Sequence, residues 1–209
     1  MVETIGEAHM KLKEWERKGL LREYLKNLIA TQEEKLGIKH FGIPELVVTM
    51  DIPRNCYENG KIFLRYWDEE YLYNALGHFY LDKLCKKLGV VDLYPDLVEN
   101  KEEITQWFEA RDELIRDGIA TYFEREMTGK EANFNDSEYP KTIEEFLRNK
   151  VYFLIRLYYD GGYHLVKPIL DKFGVEEGCK KIILNLPRKE DMVELPRYRR
   201  KILNSKPNY

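Results

Sequence analysis

Apolar residues recur every three or four positions through most of this chain, and one short stretch breaks the pattern. That spacing, seen for instance at Leu114, Ile115 and Ile119, places apolar side chains on one face of a helix. Residues 44 to 66 are instead rich in β-branched and aromatic residues around the pair Asn59-Gly60, which favours a tight hairpin. The sequence therefore predicts an α+β fold, predominantly helical, with several helices and a small antiparallel sheet.

Glycines and polar residues divide the helical pattern into segments. Residues 8 to 36 predict one long helix or two short ones, interrupted at Gly19 and ended near Gly37. The later helices are predicted at Asp68 to Leu88, Leu97 to Met127, Thr142 to Tyr158, Tyr163 to Phe173 and Val175 to Leu186, with a short one near Leu195 to Leu203. Breaks between the last long helices are expected at Gly161-Gly162 and at Gly174. The predicted strands are Leu46 to Met50 and Lys61 to Tyr66, with Asn55 to Glu58 pairing across the turn.

The length of the chain favours one domain. Its 209 residues, 44% of them hydrophobic, supply one core and are too few for two comfortable domains. We expect a single domain over residues 1–209. It comprises N-terminal helices (1–40), a strand hairpin with two site helices (41–130) and C-terminal helices (131–209).

The sequence favours a cytoplasmic protein without a membrane partner. No run approaches the roughly twenty apolar residues that a membrane span needs, and the N-terminus lacks the basic and then apolar order of a signal peptide. The cysteines Cys56, Cys85 and Cys179 are widely spaced and form no CxxC pair, which argues against a disulfide framework and a thiolate zinc site.

Charge is distributed unevenly along the chain. The net charge is −3, which gives no overall attraction to nucleic acid or to an anionic membrane. Residues 188–209 nevertheless carry seven basic and three acidic side chains. A basic tail of this kind is more often a solvated helix face, or a segment packed on an acidic body, than an RNA-binding element. We expect no nucleic-acid partner.

Two predicted helices carry the polar residues that could form a site. The first contains Asn74-Ala75-Leu76-Gly77-His78, and the second contains Asp117-Gly118-Ile119-Ala120-Thr121-Tyr122-Phe123-Glu124. Residues four apart lie on one helical face, so Asn74 and His78 share a face. Glu113 lies one turn before Asp117 in the same way.

These segments resemble the zincin metallopeptidases over roughly residues 40 to 130, in the order strand, hairpin, helix, loop and long helix. In that family the first helix carries HExxH, whose two histidines bind zinc and whose glutamate polarises the zinc-bound water. In the glutamate-zincin branch a later helix supplies the third ligand, commonly within EGxAxYxE. The segment from Asp117 to Glu124 is similar to that pattern, with Asp in place of Glu.

The resemblance implies a degenerate site. His78 matches the second histidine, Asn74 takes the place of the first ligand and Ala75 takes the place of the general base. Alanine cannot accept a proton, so the chain lacks the roughly 10²- to 10⁴-fold that a positioned carboxylate contributes. Asparagine is also a poor zinc ligand. The resemblance thus implies no catalytic residue.

The candidate metal ligands are His78, Asp117, Asn74 and Glu113. No cofactor is expected, except zinc or another divalent cation at low affinity. A shared metal, at about 2 Å from each ligand, requires the side chains of His78 and Asp117 within about 10 Å of each other. The alternative is that the carboxylates are charges on solvated helix faces and bind no metal, namely those of Glu70, Glu109, Glu113 and Asp117. His78 would then be a hydrogen-bonded histidine of the protein interior.

Three functions remain open from the sequence. The first is a zincin-like scaffold without conventional peptidase activity, which binds a peptide or protein partner by adding an extended chain to a sheet edge. The second is a metal-dependent hydrolase with a rearranged site around His78 and Asp117. The third is a helical domain whose function lies in the basic tail.

One further group of residues could line a pocket. His164 follows Tyr158, Tyr159 and Tyr163, and phenol hydroxyls can donate hydrogen bonds to a developing oxyanion. Aromatic residues at helical spacing more often belong to a core. The chain contains no phosphate-binding loop and no GxSxG elbow, so nucleotide binding and serine hydrolysis have no support.

Overall fold

The computed structural model of the chain describes residues 4–90, 101–148 and 155–205. Most of these residues are helical. The helices are α1 (Ile5–Arg17), α2 (Leu20–Leu36), α3 (Glu69–Lys87), α4 (Lys101–Thr128), α5 (Ile143–Arg148), α6 (Gly162–Phe173), α7 (Val175–Ile183), α8 (Lys189–Met192) and α9 (Leu195–Leu203). The strands are β1 (Glu45–Val48), β2 (Cys56–Glu58) and β3 (Lys61–Leu64). A predominantly helical α+β fold is therefore confirmed.

The helix signals in the sequence fall at the ends of the helices. Gly19 adopts a left-handed conformation with φ of 72° and separates α1 from α2, so the two-helix alternative is correct. Asp68 caps α3, because its side chain accepts a hydrogen bond from the Tyr71 N–H at 3.0 Å. The parts of the predicted helices at 97–100 and 149–154 lie outside the described residues.

The sheet is mixed, whereas the sequence predicted an antiparallel one. The strand order is β1-β3-β2, with β1 parallel to β3 and β2 antiparallel to β3. Asn59 and Gly60 have φ of 51° and 80°, as a two-residue hairpin turn of type I′ requires. The hairpin motif fixes the β2–β3 pair only. The loop from residue 49 to 55 carries the chain across the sheet, and β3 therefore returns in the direction of β1.

Gly161-Gly162 does not break the chain into two helices, contrary to the sequence prediction. Residues Leu157–Gly161 form a π-helical turn that continues directly into α6. These glycines serve close packing. A Cβ atom on Gly162 would lie 2.5 Å from the Leu114 carbonyl oxygen and 2.7 Å from the Gly118 Cα. The backbones of α4 and this segment touch where neither residue has a side chain.

Helix α3 crosses α4 on the opposite side with a similar close approach. A Cβ atom on Gly77 would lie 2.8 Å from the Ala120 Cα. Helix α3 also belongs to both apolar cores. Leu72, Ala75 and Leu76 pack with the sheet and the N-terminal helices, and Tyr80 and Leu84 pack with α4 and the C-terminal helices. Helix α4 is thereby held between α3 and the segment that contains the π-helical turn.

Among the described residues, none of the helices combines the length and apolar character needed to cross a membrane.

The close crossing at Gly118 leads to a prediction. Gly118→Ala should lower the free energy of unfolding by about 1–3 kcal/mol, because the added methyl group would lie 2.5 Å from the Gly162 carbonyl carbon and backbone cannot yield as a side chain can. Urea denaturation followed by circular dichroism measures the loss.

Gly6→Ala is the matched control in α1. A Cβ atom there would come no closer than 4.0 Å to the Thr4 hydroxyl oxygen. We expect an effect between zero and a gain of about 1 kcal/mol from helix propensity. Equal effects of the two substitutions would contradict the close crossing.

Candidate functional site

The close packing of α3 on α4 brings His78 opposite Asp117. The distance from His78 Nε2 to Asp117 Oδ1 is 3.6 Å, and the two side chains are 15% and 20% exposed. The approach that the sequence analysis expected is therefore present. Binding of a metal by this pair stays a prediction.

Asn74 is paired with Glu124, a residue that the sequence analysis did not select. The Asn74 Nδ2 donates to Glu124 Oε2 at 3.3 Å, and Asn74 is 4% exposed. Glu124 lies seven residues after Asp117, which places it two turns further along the same face of α4. Glu124 is the last residue of the EGxAxYxE-like segment, and its place in that segment could have identified it as a candidate.

Glu113 lies one turn before Asp117 and is exposed. Partial desolvation of its carboxylate raises the pKa of Glu113, and the neighbouring charge of Glu109 adds to the shift. Among the described residues, no group of three or more His, Cys, Asp or Glu side chains has an arrangement that could hold a metal ion. The four candidate ligands therefore form one close pair, His78 with Asp117, flanked by Asn74 and Glu113.

The edge strand β2 covers the pair. The ring of Tyr57 stacks on His78 with a centroid distance of 5.8 Å and an interplanar angle of 8°. The Tyr57 hydroxyl donates to Asp82 Oδ2 at 2.6 Å, and Arg116 Nη2 donates to Asp82 Oδ1 at 3.0 Å. These bonds fix the tyrosine above the imidazole and keep Arg116 paired with a carboxylate on α3.

Burial determines the protonation of the pair. Desolvation, with a smaller contribution from the charge of Arg116, lowers the pKa of His78 to about 3. Desolvation raises the pKa of Asp117 to about 7, with a contribution from Glu113. An ion pair would shift both values in the opposite directions. At 3.6 Å desolvation prevails, and a neutral imidazole faces a carboxyl group that titrates near neutrality.

The opposite wall of the cleft is formed by tyrosines of the π-helical turn. Burial raises the pKa of Tyr159, and the nearby charge of Asp117 is the next cause. The pKa of Tyr158 is raised by burial and by Glu113 and Asp117. Burial raises the pKa of Tyr71 on α3, and Cys56 and Tyr159 are among its electrostatic neighbours.

His164 belongs to a different part of the surface. Its Nε2 lies 3.0 Å from Asp136 Oδ1, and Arg199 Nη2 donates to both oxygens of the same aspartate at 3.1 and 2.9 Å. The hypothesis of one pocket around His164 and its three tyrosines is therefore wrong. The helical turn directs Tyr158 and Tyr159 toward Asp117, while His164 anchors the basic α9 to the Asp136–Glu138 turn.

The floor of the cleft is the face of α4 that lies between its close contact with α3 at Ala120 and its close contact with Gly162 at Gly118. Asp117, Thr121 and Glu124 lie on this face within about 60° of arc, given 100° per residue. Thr121 is 1% exposed, and its hydroxyl has no hydrogen-bond partner among the described residues. The Tyr71 hydroxyl is likewise buried and unpartnered. Two hydroxyls beside the carboxyl groups are thus left unsatisfied.

Ala75, which the resemblance aligns with the catalytic glutamate of the zincins, is fully buried. Its exposure is 0%, and it packs in the apolar cluster with Ile62 and Leu64 of the sheet. No carboxylate occupies this position. A glutamate introduced here would bury a charge in an apolar core, which is costly.

Comparison of the chain with protein-family models, with curated proteins and with solved structures gives no match. The site is therefore interpreted from its own geometry.

The raised pKa of Asp117 gives a testable pH dependence. A carboxyl group whose pKa is raised by folding stabilises the fold at low pH, and this contribution is lost as the pH rises from its ordinary pKa of 3.8 to about 7. Asp117→Asn removes the titration. Between pH 4 and pH 8 the free energy of unfolding of the variant, relative to wild type, should rise by about 2–4 kcal/mol.

Urea denaturation at pH 4, 6 and 8 measures this difference. Glu113→Gln serves as a second variant, because it removes a charge that raises the pKa of Asp117. It should reduce the pH dependence without abolishing it. A constant difference between Asp117→Asn and wild type at all three pH values would contradict the proposed protonation state.

Proposed function

We propose that this chain is a degenerate zincin-like domain that binds an extended peptide segment along β2 and does not hydrolyse it. The observation that carries the proposal is the contact of His78 with Asp117, at 3.6 Å, beneath the edge strand. The resemblance led us to expect this pair on two packed helices beside a strand hairpin. A peptide- or protein-binding role follows from the edge strand and not from the pair alone.

The free edge of β2 can accept another strand. β2 pairs with β3 in the register Glu58 with Lys61 and Tyr57 with Ile62. Pairs alternate along an antiparallel ladder, and the residues that close a two-residue turn exchange hydrogen bonds. The Tyr57 N–H and C=O therefore point away from β3. A peptide pairing with them would run directly above the cleft floor.

The composition of the site disfavours conventional peptide hydrolysis. Ala75 supplies no general base, and the Asn74 amide is engaged with Glu124. Neither group can activate water in the way that the family mechanism requires. Binding without turnover is the function that these residues support best.

A metal-dependent hydrolase is the second candidate. One observation favours it: a carboxyl group with a pKa of about 7 lies beside a neutral imidazole, and such a group can transfer protons near neutral pH. Its ligands would come from His78, Asp117, Asn74 and Glu113. Zinc content distinguishes this candidate from the scaffold.

Peptide binding along β2 predicts a specific change in amide exchange. A peptide selected from a library of acetylated and amidated hexapeptides should slow exchange of the Tyr57 N–H at least about tenfold, because that group gains a hydrogen-bond partner. The Phe63 N–H should change little, since it lies on the central strand. Hydrogen exchange followed by NMR resolves the two amides.

The amides of β1 serve as a control for peptide binding at the other edge of the sheet. β1 is the other edge of the sheet, and protection confined to Leu46 or Val47 would place the peptide there and contradict the proposal for β2. Cleavage of the bound peptide would contradict the absence of hydrolysis.

Zinc titration tests the likeness to zincins. Purified wild-type protein without a histidine tag should retain well under one equivalent of zinc. Asn74→His recreates a pair of histidines one turn apart without burying a charge at Ala75, and it should tighten zinc binding by about tenfold or more. Calorimetry measures both proteins, and circular dichroism verifies folding.

The double variant Asn74→His/Asp117→Asn is the matched control. It keeps both histidines and removes the third ligand, so most of the gained affinity should be lost. Equal zinc affinity in folded Asn74→His and double variant would show that residue 117 does not join the histidines. Stoichiometric zinc in wild type would favour the hydrolase.

A further inference from the structure

The cleft floor combines carboxylates with a buried hydroxyl that has no partner. Asp117, Thr121 and Glu124 share one face of α4, and they lie between α3 and the π-helical turn. Thr121 is 1% exposed and lies between the two acidic residues on this face, and its hydroxyl has no hydrogen-bond partner among the described residues. A buried polar group without a partner indicates an absent water or ligand.

The neighbouring cations are already paired. Arg116 Nη2 lies 3.0 Å from Asp82 Oδ1, Arg125 pairs with Asp160, and Lys130 pairs with Glu70 at the outer end of the cleft. Within the described ranges, neither Asp117 nor Glu124 forms an ion pair with a lysine or arginine, whereas Glu124 accepts from Asn74.

One arginine remains beside the cleft. Arg54, in the loop before β2, is exposed and close enough to act electrostatically on Asp117. Its exposed side chain can swing away from the cleft without breaking a bond that the structure shows. A cation supplied by a ligand would compete with Arg54 and not with a buried ion pair.

We propose that this cleft binds a guanidinium group, the arginine side chain of the bound peptide, between Asp117 and Glu124. The existence of a peptide ligand rests on the function proposed above, but the preference for a guanidinium rests on the cleft itself. Asp117 and Glu124 are two helical turns apart, about 10 Å between their Cα atoms. A guanidinium has donors on opposite edges and spans such a pair more easily than an ammonium group.

The tyrosines beside the cleft and the Thr121 hydroxyl can also contact a guanidinium. Tyr159 is an electrostatic neighbour of Asp117, Glu124 and Tyr71, and planar guanidinium groups stack on such aromatic rings. The Thr121 hydroxyl, whose residue lies between the two acidic residues, can accept one further N–H of the guanidinium.

The test compares arginine with citrulline, its uncharged counterpart of the same shape. The probes are acetyl-Ala-Ala-Arg-Ala-Ala-amide and the same peptide with citrulline, titrated by calorimetry into full-length protein. A second pair, ethylguanidinium and ethylurea, probes the cleft without a peptide backbone and is followed by NMR shifts of Thr121 and Tyr159. We expect the arginine peptide to bind about tenfold more tightly than the citrulline peptide.

Three variants test the cleft. Two of them should weaken the preference for arginine, and the third should strengthen binding of the arginine peptide. Glu124→Gln and Thr121→Val should each reduce the preference for arginine, the first by about tenfold and the second by less. Arg54→Ala should increase affinity for the arginine peptide, because it removes the competing cation. A variant that merely loosened the fold would not strengthen binding.

The outcomes separate this inference from the proposed function. Equal binding of both peptides would overturn the guanidinium site and leave peptide binding in place. Shifts caused by ethylguanidinium but not ethylurea, without binding of either peptide, would support the guanidinium site and overturn the peptide scaffold. Absence of any binding would overturn both, as would an unchanged arginine preference in Glu124→Gln together with Thr121→Val.

Discussion

The close approach of α4 to the elements on either side of it determines the rest of the structure. On one side Gly77 of α3 meets Ala120, and on the other side Gly162 meets Gly118, in both cases backbone against backbone. Such contacts hold the three segments at close separations because the glycine at each crossing has no Cβ to keep the backbones apart. The face of α4 that carries Asp117, Thr121 and Glu124 lies between the two contacts. The cleft is therefore a consequence of where the small residues fall on one helix.

The same packing accounts for the electrostatics of the cleft. Bringing α3 close to α4 removes water from His78 and Asp117, whose side chains remain only 15% and 20% exposed. Desolvation then outweighs their mutual attraction, so the pKa of the imidazole falls and that of the carboxyl rises. Arg116 lowers the pKa of Asp117 only in part, and its guanidinium donates to Asp82, which also accepts from the Tyr57 hydroxyl. Helix packing, and not a specific ion pair, sets the charge state here.

Much of this arrangement could be predicted from the sequence, and the failures share a cause. Periodicity and capping residues located α1 to α4, because those signals are local. The orientation of β1, the continuous helix through Gly161-Gly162 and the pairing of Asn74 with Glu124 depend on contacts between distant segments. In an isolated helix a pair of glycines favours a break. Where a glycine of another helix faces the pair, the same residues allow the two backbones to cross closely. Asp117 and His78 could be selected from the sequence because both match positions of one motif, whereas that motif gives no role to Glu124 or Thr121.

The polar groups without hydrogen-bond partners in the cleft lower the stability of the unliganded fold. A buried hydroxyl without a hydrogen bond costs about 1–3 kcal/mol, and Thr121 and Tyr71 each carry one. Asp117 adds the cost of a desolvated carboxyl group at neutral pH. Close to these groups the Tyr57 ring stacks on His78, and Tyr159 of the π-helical turn is an electrostatic neighbour of Asp117 and Glu124. A ligand that satisfies them would recover their desolvation cost on binding, so the folded chain is preorganised for a polar, positively charged group and would be stabilised by it. An apolar ligand would leave the same groups unpaired and could not recover that cost. The cleft should therefore discriminate between polar, positively charged ligands and apolar ones, and should not bind every peptide tightly.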